Sequence, residues 1–160
     1  MGIGRIEPLG SFLLSLFYMH GSYDFAVKAI LRRPDGKILL IRDAGRYKRE
    51  YLKGYWDIPG GRLDQGEIID AALSREVMEE AGIDIKKLPR SRFALNQWAS
   101  APADDQREII GAVCIVELER DSEVVISNEH DEYKWVLPKN IELSTLKPAF
   151  VPMFKELLDI

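Results

Sequence analysis

Residues 61–83 read GRLDQGEIIDAALSREVMEEAGI, and this stretch decides how the chain folds. From Ile68 to Ala81 it holds neither Pro nor Gly, and its Ala, Leu, Met, Arg and Glu residues favour a helix. Asp64 to Glu67 forms a polar, turn-prone entry. Gly82, with Ile83 behind it, suits a left-handed stop. The segment is therefore predicted to run loop, helix, loop. Ile69, Leu73 and Val77 recur every fourth residue, an apolar stripe expected to anchor the helix on a core.

Glu76, Glu79 and Glu80 stand at i, i+3 and i+4 and share one face of that helix. Like charges at this spacing repel by about 0.2–0.5 kcal/mol per pair. They also crowd the C-terminal end, where the helix dipole disfavours anions. Two readings stand: a solvated acidic face, or a hard-cation site that offsets the repulsion. Carboxylate oxygens without a nearby Cys or His favour Mg²⁺ or Mn²⁺ over Zn²⁺. Gly60-Gly61 just upstream and Arg75 alongside favour the cation site.

Seven residues, Gly61, Glu67, Arg75, Glu76, Glu79, Glu80 and Gly82, together with the aliphatic Val77 and Ile83, fit G-x5-E-x7-R-E-U-x-E-E-x-G-U at every position. At roughly 7% per residue, seven fixed positions coincide by chance on the order of 10⁻⁸ per starting point, so the pattern is no accident. It resembles the Nudix box. The segment from Tyr55 to Gly61 resembles the apolar strand and Pro-Gly-Gly turn that precede the box, and Ser127 to Val136 resembles the loop and final strand that follow it. The fold this resemblance implies is α/β, a Nudix-type α/β/α sandwich with a mixed central sheet.

The resemblance further implies hydrolysis of a nucleoside diphosphate linked to another moiety, by attack of water on phosphorus, with Mg²⁺ or Mn²⁺ as cofactor. It makes Glu76, Glu79, Glu80 and the Gly60 carbonyl the metal ligands. Glu67 and Arg75 become a supporting pair, in which Arg75 orients the glutamates. The base is expected to be Glu79, Glu76 or a residue of the downstream loop, where Glu129, with Glu132 behind it, is the candidate for an extra metal ligand or base, the alternative being a charged connector before the last strand. His130 is expected to stay outside the site.

The rest of the chain is consistent with one domain. It has 160 residues, 46% of them hydrophobic and 30% charged, with a formal net charge of −4. An acidic balance gives no support to a nucleic-acid surface, whose electrostatic footprint is basic. The expected partner is a small nucleotide. Cys114 lies in the apolar run Ile109 to Val116 and is expected to be a core residue. One cysteine allows no internal disulfide, which fits a cytoplasmic location. Residues 11–19 are apolar but short of the ~20 needed to span a membrane. Residues 1–22 are therefore expected to be an extension that packs on the domain at 23–160 or on a second copy, making a homodimer.

Strands are expected at 25–33 and 38–41 around the turn Pro34–Lys37, at 93–98, 108–118 and 133–137. A closing helix is expected over 148–160, with Phe150, Phe154, Leu157 and Leu158 inward. Between strand and box, residues 42–53 carry five cations against two anions. Two readings stand for them: a solvated loop, or a mobile flap whose cations Arg42, Arg46, Lys48, Arg49 and Lys53 meet substrate phosphates and whose Tyr47 and Tyr51 stack on a base, with Trp56 and Trp98 as further stacking partners. Two rivals are an isopentenyl diphosphate isomerase on the same scaffold, which needs a catalytic Cys, and a non-catalytic nucleotide sensor. The apolar setting of Cys114 disfavours the first and the complete glutamate set the second. Among substrates, the compact size and the short loops after the box make a nucleoside triphosphate the expectation and ADP-ribose or a nucleotide sugar the alternative; the Pro of the ADP-ribose type would fall at Ala99, and Pro102 is displaced from it.

Overall fold

The computed structural model describes residues 23–47, 49–99 and 108–159, apart from the side chains of Asn96, Trp98 and Ala99. The apolar segment 11–19, Lys48, the Trp98 ring, the loop 100–106 and the homodimer expectation tied to 1–22 lie outside the described residues. The strands are β1 (Tyr23–Arg32), β2 (Ile38–Asp43), β3 (Trp56–Asp57), β4 (Gly60–Arg62), β5 (Arg90–Ala99), β6 (Glu108–Glu117) and β7 (His130–Val136). Two helices, α1 (Ile69–Ala81) and α2 (Val151–Leu158), accompany them. Short 3-10 turns occupy Glu50–Leu52 and Pro148–Phe150, among others.

All seven strands join one sheet, with the path β3-β2-β1-β6-β5, β4 pairing β1 and β7 pairing β2. The β1–β6 pairing is parallel, from Tyr23↔Glu108 to Arg32↔Glu117; the others are antiparallel. That is the expected mixed sheet. Because strand residues alternate between faces, β1 feeds two cores. Val27, Ala29 and Leu31 pack with Ala72, Leu73, Val77 and Ala81 of α1. Ile30 packs on the other face with Phe150, Met153, Phe154 and Leu157 of the closing segment. The expected three layers are present. Cys114 is buried in the first core, and loss of solvation pushes its thiol pKa up to about 11.

Helix α1 ends at Gly82 (φ 69°), whose N–H donates to the Met78 carbonyl. The expected stripe needs one correction. Ile69 is 59% exposed, and Ala72 and Ala81 do the packing instead. Ile69 sits in the first turn, where the helix has just left the entry loop. Residues 124–126 form no strand. Val124 is buried, and the Val125 N–H donates to Ala81 O, closing the end of α1. Among the described residues no helix is long and apolar enough to cross a membrane.

Candidate active site

The site is assembled on the turn between β3 and β4. Gly60 has φ 135°, and a Cβ there would run into the Val27 carbonyl oxygen and lie 2.5 Å from Lys28 Cα. Only glycine lets the turn lie this close to β1. The Ala29 N–H donates to Pro59 O at 2.8 Å, fastening the turn to that strand. A Cβ on Gly61 would lie 2.5 Å from Glu76 Oε2, so the bare backbone makes room for that carboxylate.

Glu80 Oε2 accepts the Gly60 N–H at 2.9 Å. Loss of solvation raises its pKa to about 7, although the nearby Lys28 pulls the other way. Burial likewise raises Glu76, against the Arg75 guanidinium, whose Nη1 donates to Glu76 Oε1 at 2.7 Å. Arg75 also grips Glu67 through two parallel bonds, Nε to Oε1 at 2.9 Å and Nη2 to Oε2 at 2.8 Å. Such fork-to-fork pairs fix direction as well as charge. Those bonds, with one from the Asp64 N–H, hold the Glu67 pKa down at about 2. Glu79 differs from its neighbours: its side chain is 58% exposed, with Arg75 Nη1 at 3.4 Å.

Glu76 and Glu80 open onto a cavity of about 610 Å³, which Lys28, Arg49, Asp57, Glu129 and Lys147 also line. Lys28 Nζ donates to Asp57 Oδ2 at 3.0 Å and to the carbonyls of Ile58 and Gly60, each at 2.9 Å. Lys147 Nζ meets the same Asp57 oxygen at 2.7 Å and Asp43 Oδ2 at 3.0 Å. Arg49 Nη2 donates to Asp43 Oδ2 at 2.8 Å, and its Nη1 lies 3.2 Å from Glu129 Oε2. Charges thus alternate along Lys28, Asp57, Lys147, Asp43, Arg49 and Glu129. Burial alone would raise Asp57, but Lys147 and Lys28 outweigh it and hold the carboxyl far below its usual range. A second hollow, of about 530 Å³, lies outside α1 along Ile68, Met78 and Glu79. It contains neither Glu76 nor Glu80, so the chemistry belongs to the first cavity.

Three expected substrate contacts are placed elsewhere. Arg42 pairs with Asp131 at 2.7 Å and Glu132 at 2.6 Å, because β2 carries it alongside β7. Trp56 is 8% exposed within the α2-side core, covered by Arg42 and by Lys134, whose ammonium is 3.9 Å from the ring centre. Arg46 is exposed and does not line the cavity. Of residues 42–53, the expected flap contacts Arg49 and Tyr51 do line the cavity, with Leu52. The segment is fastened rather than free, through Gly54 N–H to Asp43 O and Ala44 N–H to Glu129 O, both 2.9 Å. His130, expected to be a solvated loop residue, is buried with its Nδ1 3.1 Å from Ser127 Oγ, and burial lowers its pKa to about 4, with Lys28 and Lys147 adding to the effect. Sequence reasoning missed Lys28, Asp57 and Lys147. The available signal was a lone charge inside an apolar strand, as in Phe25-Ala-Val-Lys28-Ala-Ile-Leu31.

The donors suit a hard cation. Among the described residues no three acidic or histidine side chains converge tightly enough to cage one. Mg²⁺ needs no such cage, since it retains waters and takes one or two carboxylates plus substrate phosphates. Glu76 and Glu80, whose charge is destabilised by burial in spite of Arg75 and Lys28, supply two carboxylates beside the Gly60 carbonyl. All are oxygen donors.

Comparison with known proteins agrees with this geometry. The family model described as NUDIX domain matches residues 22–157. A nucleoside triphosphatase NudI of Escherichia coli K12 is 31% identical over 111 residues, covering 67% of this chain and 77% of that one. An ADP-ribose pyrophosphatase of Methanocaldococcus jannaschii is 32% identical over 101 residues, which span 63% of this chain but only 53% of that relative. The crystal structure of a MutT protein from Methanosarcina mazei Go1 superposes with a TM-score of 0.69 at 26% identity, over 86% of this chain and 94% of that one. With its box on α1 and its Pro-Gly-Gly turn against β1, the chain belongs to the Nudix hydrolase family.

Proposed function

We propose that this cavity hydrolyses a phosphoric anhydride bond in a small nucleotide, with Mg²⁺ or Mn²⁺ held by Glu76, Glu80 and the Gly60 carbonyl. The observation that carries the reading is the convergence of two charge-poor carboxylates and the Gly60 backbone in one cavity with Lys28, Lys147 and Arg49. When bound there, the divalent ion neutralises the diphosphate and makes a water acidic enough to attack near neutral pH. The chain's own groups do the rest. Arg75, fixed by Glu67, steers Glu76. Glu129 lines the cavity and takes the proton from the attacking water as its oxygen bonds to phosphorus and the anhydride P–O bond breaks. Glu79, outward and beside Arg75, is the weaker candidate for base. Nothing here assigns a base role to Glu132, which is paired with Arg42.

The NudI relative favours a nucleoside triphosphate. A cavity of about 610 Å³ suits a mononucleotide. The ADP-ribose pyrophosphatase relative supports the second reading, ADP-ribose or a nucleotide sugar. Hydrolysis of both groups, of diadenosine polyphosphates and of coenzyme A, followed by separation of the nucleotide products, should be compared between the protein and its Glu80→Gln variant. Turnover of one group that is lost in the variant supports the proposal and names the substrate. Binding without turnover of any member points to a sensor.

Tyr51, half exposed on the cavity wall, is the proposed stacking surface for the base. Base–aromatic stacking contributes about 1–3 kcal/mol, so Tyr51→Ala should raise KM about tenfold with kcat little changed. Arg46→Ala should leave both unchanged.

A further inference from the structure

We propose that Arg49 is a positioning residue that holds Glu129 across the cavity from Glu76 and Glu80, a role that rests on the hydrolase reading above. Glu129 stands in the 127–129 loop before β7, with its side chain 38% exposed. A partly exposed carboxylate has several rotamers open to it unless a partner fixes one. Proton transfer rewards a fixed geometry strongly. Arg49 supplies it by bridging two carboxylates with different surroundings. Its Nη1 meets Glu129 Oε2 at 3.2 Å, and its Nη2 meets Asp43 Oδ2 at 2.8 Å.

Asp43 is a firm anchor for that bridge. It is fully buried, and it also accepts from Lys147 Nζ at 3.0 Å and from the Gly45 N–H at 2.8 Å. The chain around it is shaped for the purpose. The β2–β7 register shifts between Arg42 and Asp43, and irregularities of this kind re-aim side chains near active sites. Beyond the shift, the Ala44 N–H donates to the Glu129 carbonyl at 2.9 Å, so backbone and side chain of Glu129 are held from the same segment. The Glu129 N–H reaches Ser127 Oγ at 3.3 Å, closing the loop from the other side. The basic insertion therefore acts on the general base rather than on the phosphates.

Arg49→Lys tests this while keeping a positive charge beside Asp43, because an ammonium lacks the planar fork that spans both carboxylates. The melting temperature should stay within a few degrees of the parent. The kcat for the best nucleotide of the panel should fall at least about tenfold at nearly constant KM. In a Glu129→Gln background the same substitution should cost nothing further. A rise in KM at constant kcat, or losses that multiply in the double variant, would overturn the proposal in favour of a direct phosphate contact. One readout needs no turnover: the Glu129 ¹³Cδ resonance should shift in Arg49→Lys, and an unshifted resonance rejects the contact. A protein inactive on every nucleotide but showing that shift refutes the hydrolase reading and leaves the positioning intact.

Discussion

Replacing Glu80 by Gln is expected to abolish turnover and yet to make the metal-free protein harder to melt at pH 8. The two effects share one cause. Glu80 is held where its charge is poorly solvated, with a pKa of about 7 against 4.5 for a free glutamate. A raised carboxyl pKa means the fold disfavours the ionised form, so this group's contribution to stability is intact below pH 4.5 and is lost as pH rises through 7. The loss amounts to about 3 kcal/mol at most. Gln keeps an oxygen for the Gly60 N–H and removes the charge. The variant should therefore melt about 5 °C higher than the parent at pH 8 and at the same temperature near pH 4.5. Removing several kcal/mol of charge stabilisation from the hydrolytic step corresponds to a loss of about 10³-fold in kcat. Scanning calorimetry without metal at the two pH values, with kinetics in Mg²⁺, separates the effects. A variant that melts lower at pH 8 would show that the carboxylate is well compensated, contrary to this account.

Asp57→Asn should be the most damaging change to the fold. Asp57 is 3% exposed, and one of its oxygens accepts from both Lys28 at 3.0 Å and Lys147 at 2.7 Å. Its other oxygen accepts the Ile58 N–H at 2.7 Å. An amide of the same shape leaves two buried ammonium groups facing each other. Breaking a buried pair typically costs about 3–5 kcal/mol, and here a single substitution breaks two. The urea midpoint at pH 7 should fall accordingly. Because the Asp57 pKa is depressed in the fold, the same stability is present in the parent above about pH 4 and disappears as acid titrates the carboxyl below that. The variant should lack this acid-dependent component. A parent-like midpoint would mean that water compensates the two lysines.

How much of this was legible depended on how far apart the partners lie. The α1 segment could be read outright, since its signals are local: no breaker from Ile68 to Ala81, a glycine stop, and three glutamates at helical spacing. Gly60 and Gly61 were legible only through the resemblance, and the close approach to β1 that demands a glycine at Gly60 is a feature of the fold. The cationic side of the cavity was not. Lys28 and Asp57 are 29 residues apart, and Asp57 and Lys147 are 90 apart. No periodicity relates such positions, and only the sheet brings them together. The basic insertion was noticed for its composition, and Arg49 and Tyr51 were named within it, but nothing local singled Arg49 out from its neighbours. Arg46 resembles Arg49 in sequence, but the 3-10 turn at Glu50–Leu52 and the burial of Asp43 turn Arg49 inward. Trp56 failed for a related reason: strand alternation put its ring in the α2-side core.

Binding of Mn²⁺, followed by electron paramagnetic resonance on the parent and on its Glu76→Gln, Glu79→Gln and Glu80→Gln variants, tests the central claim most directly. Losing a ligand carboxylate should weaken binding at least about tenfold for Glu76→Gln and Glu80→Gln, and much less for the outward Glu79→Gln. Equal affinity in all four proteins would contradict the account, because the two cavity-facing carboxylates would then hold no cation.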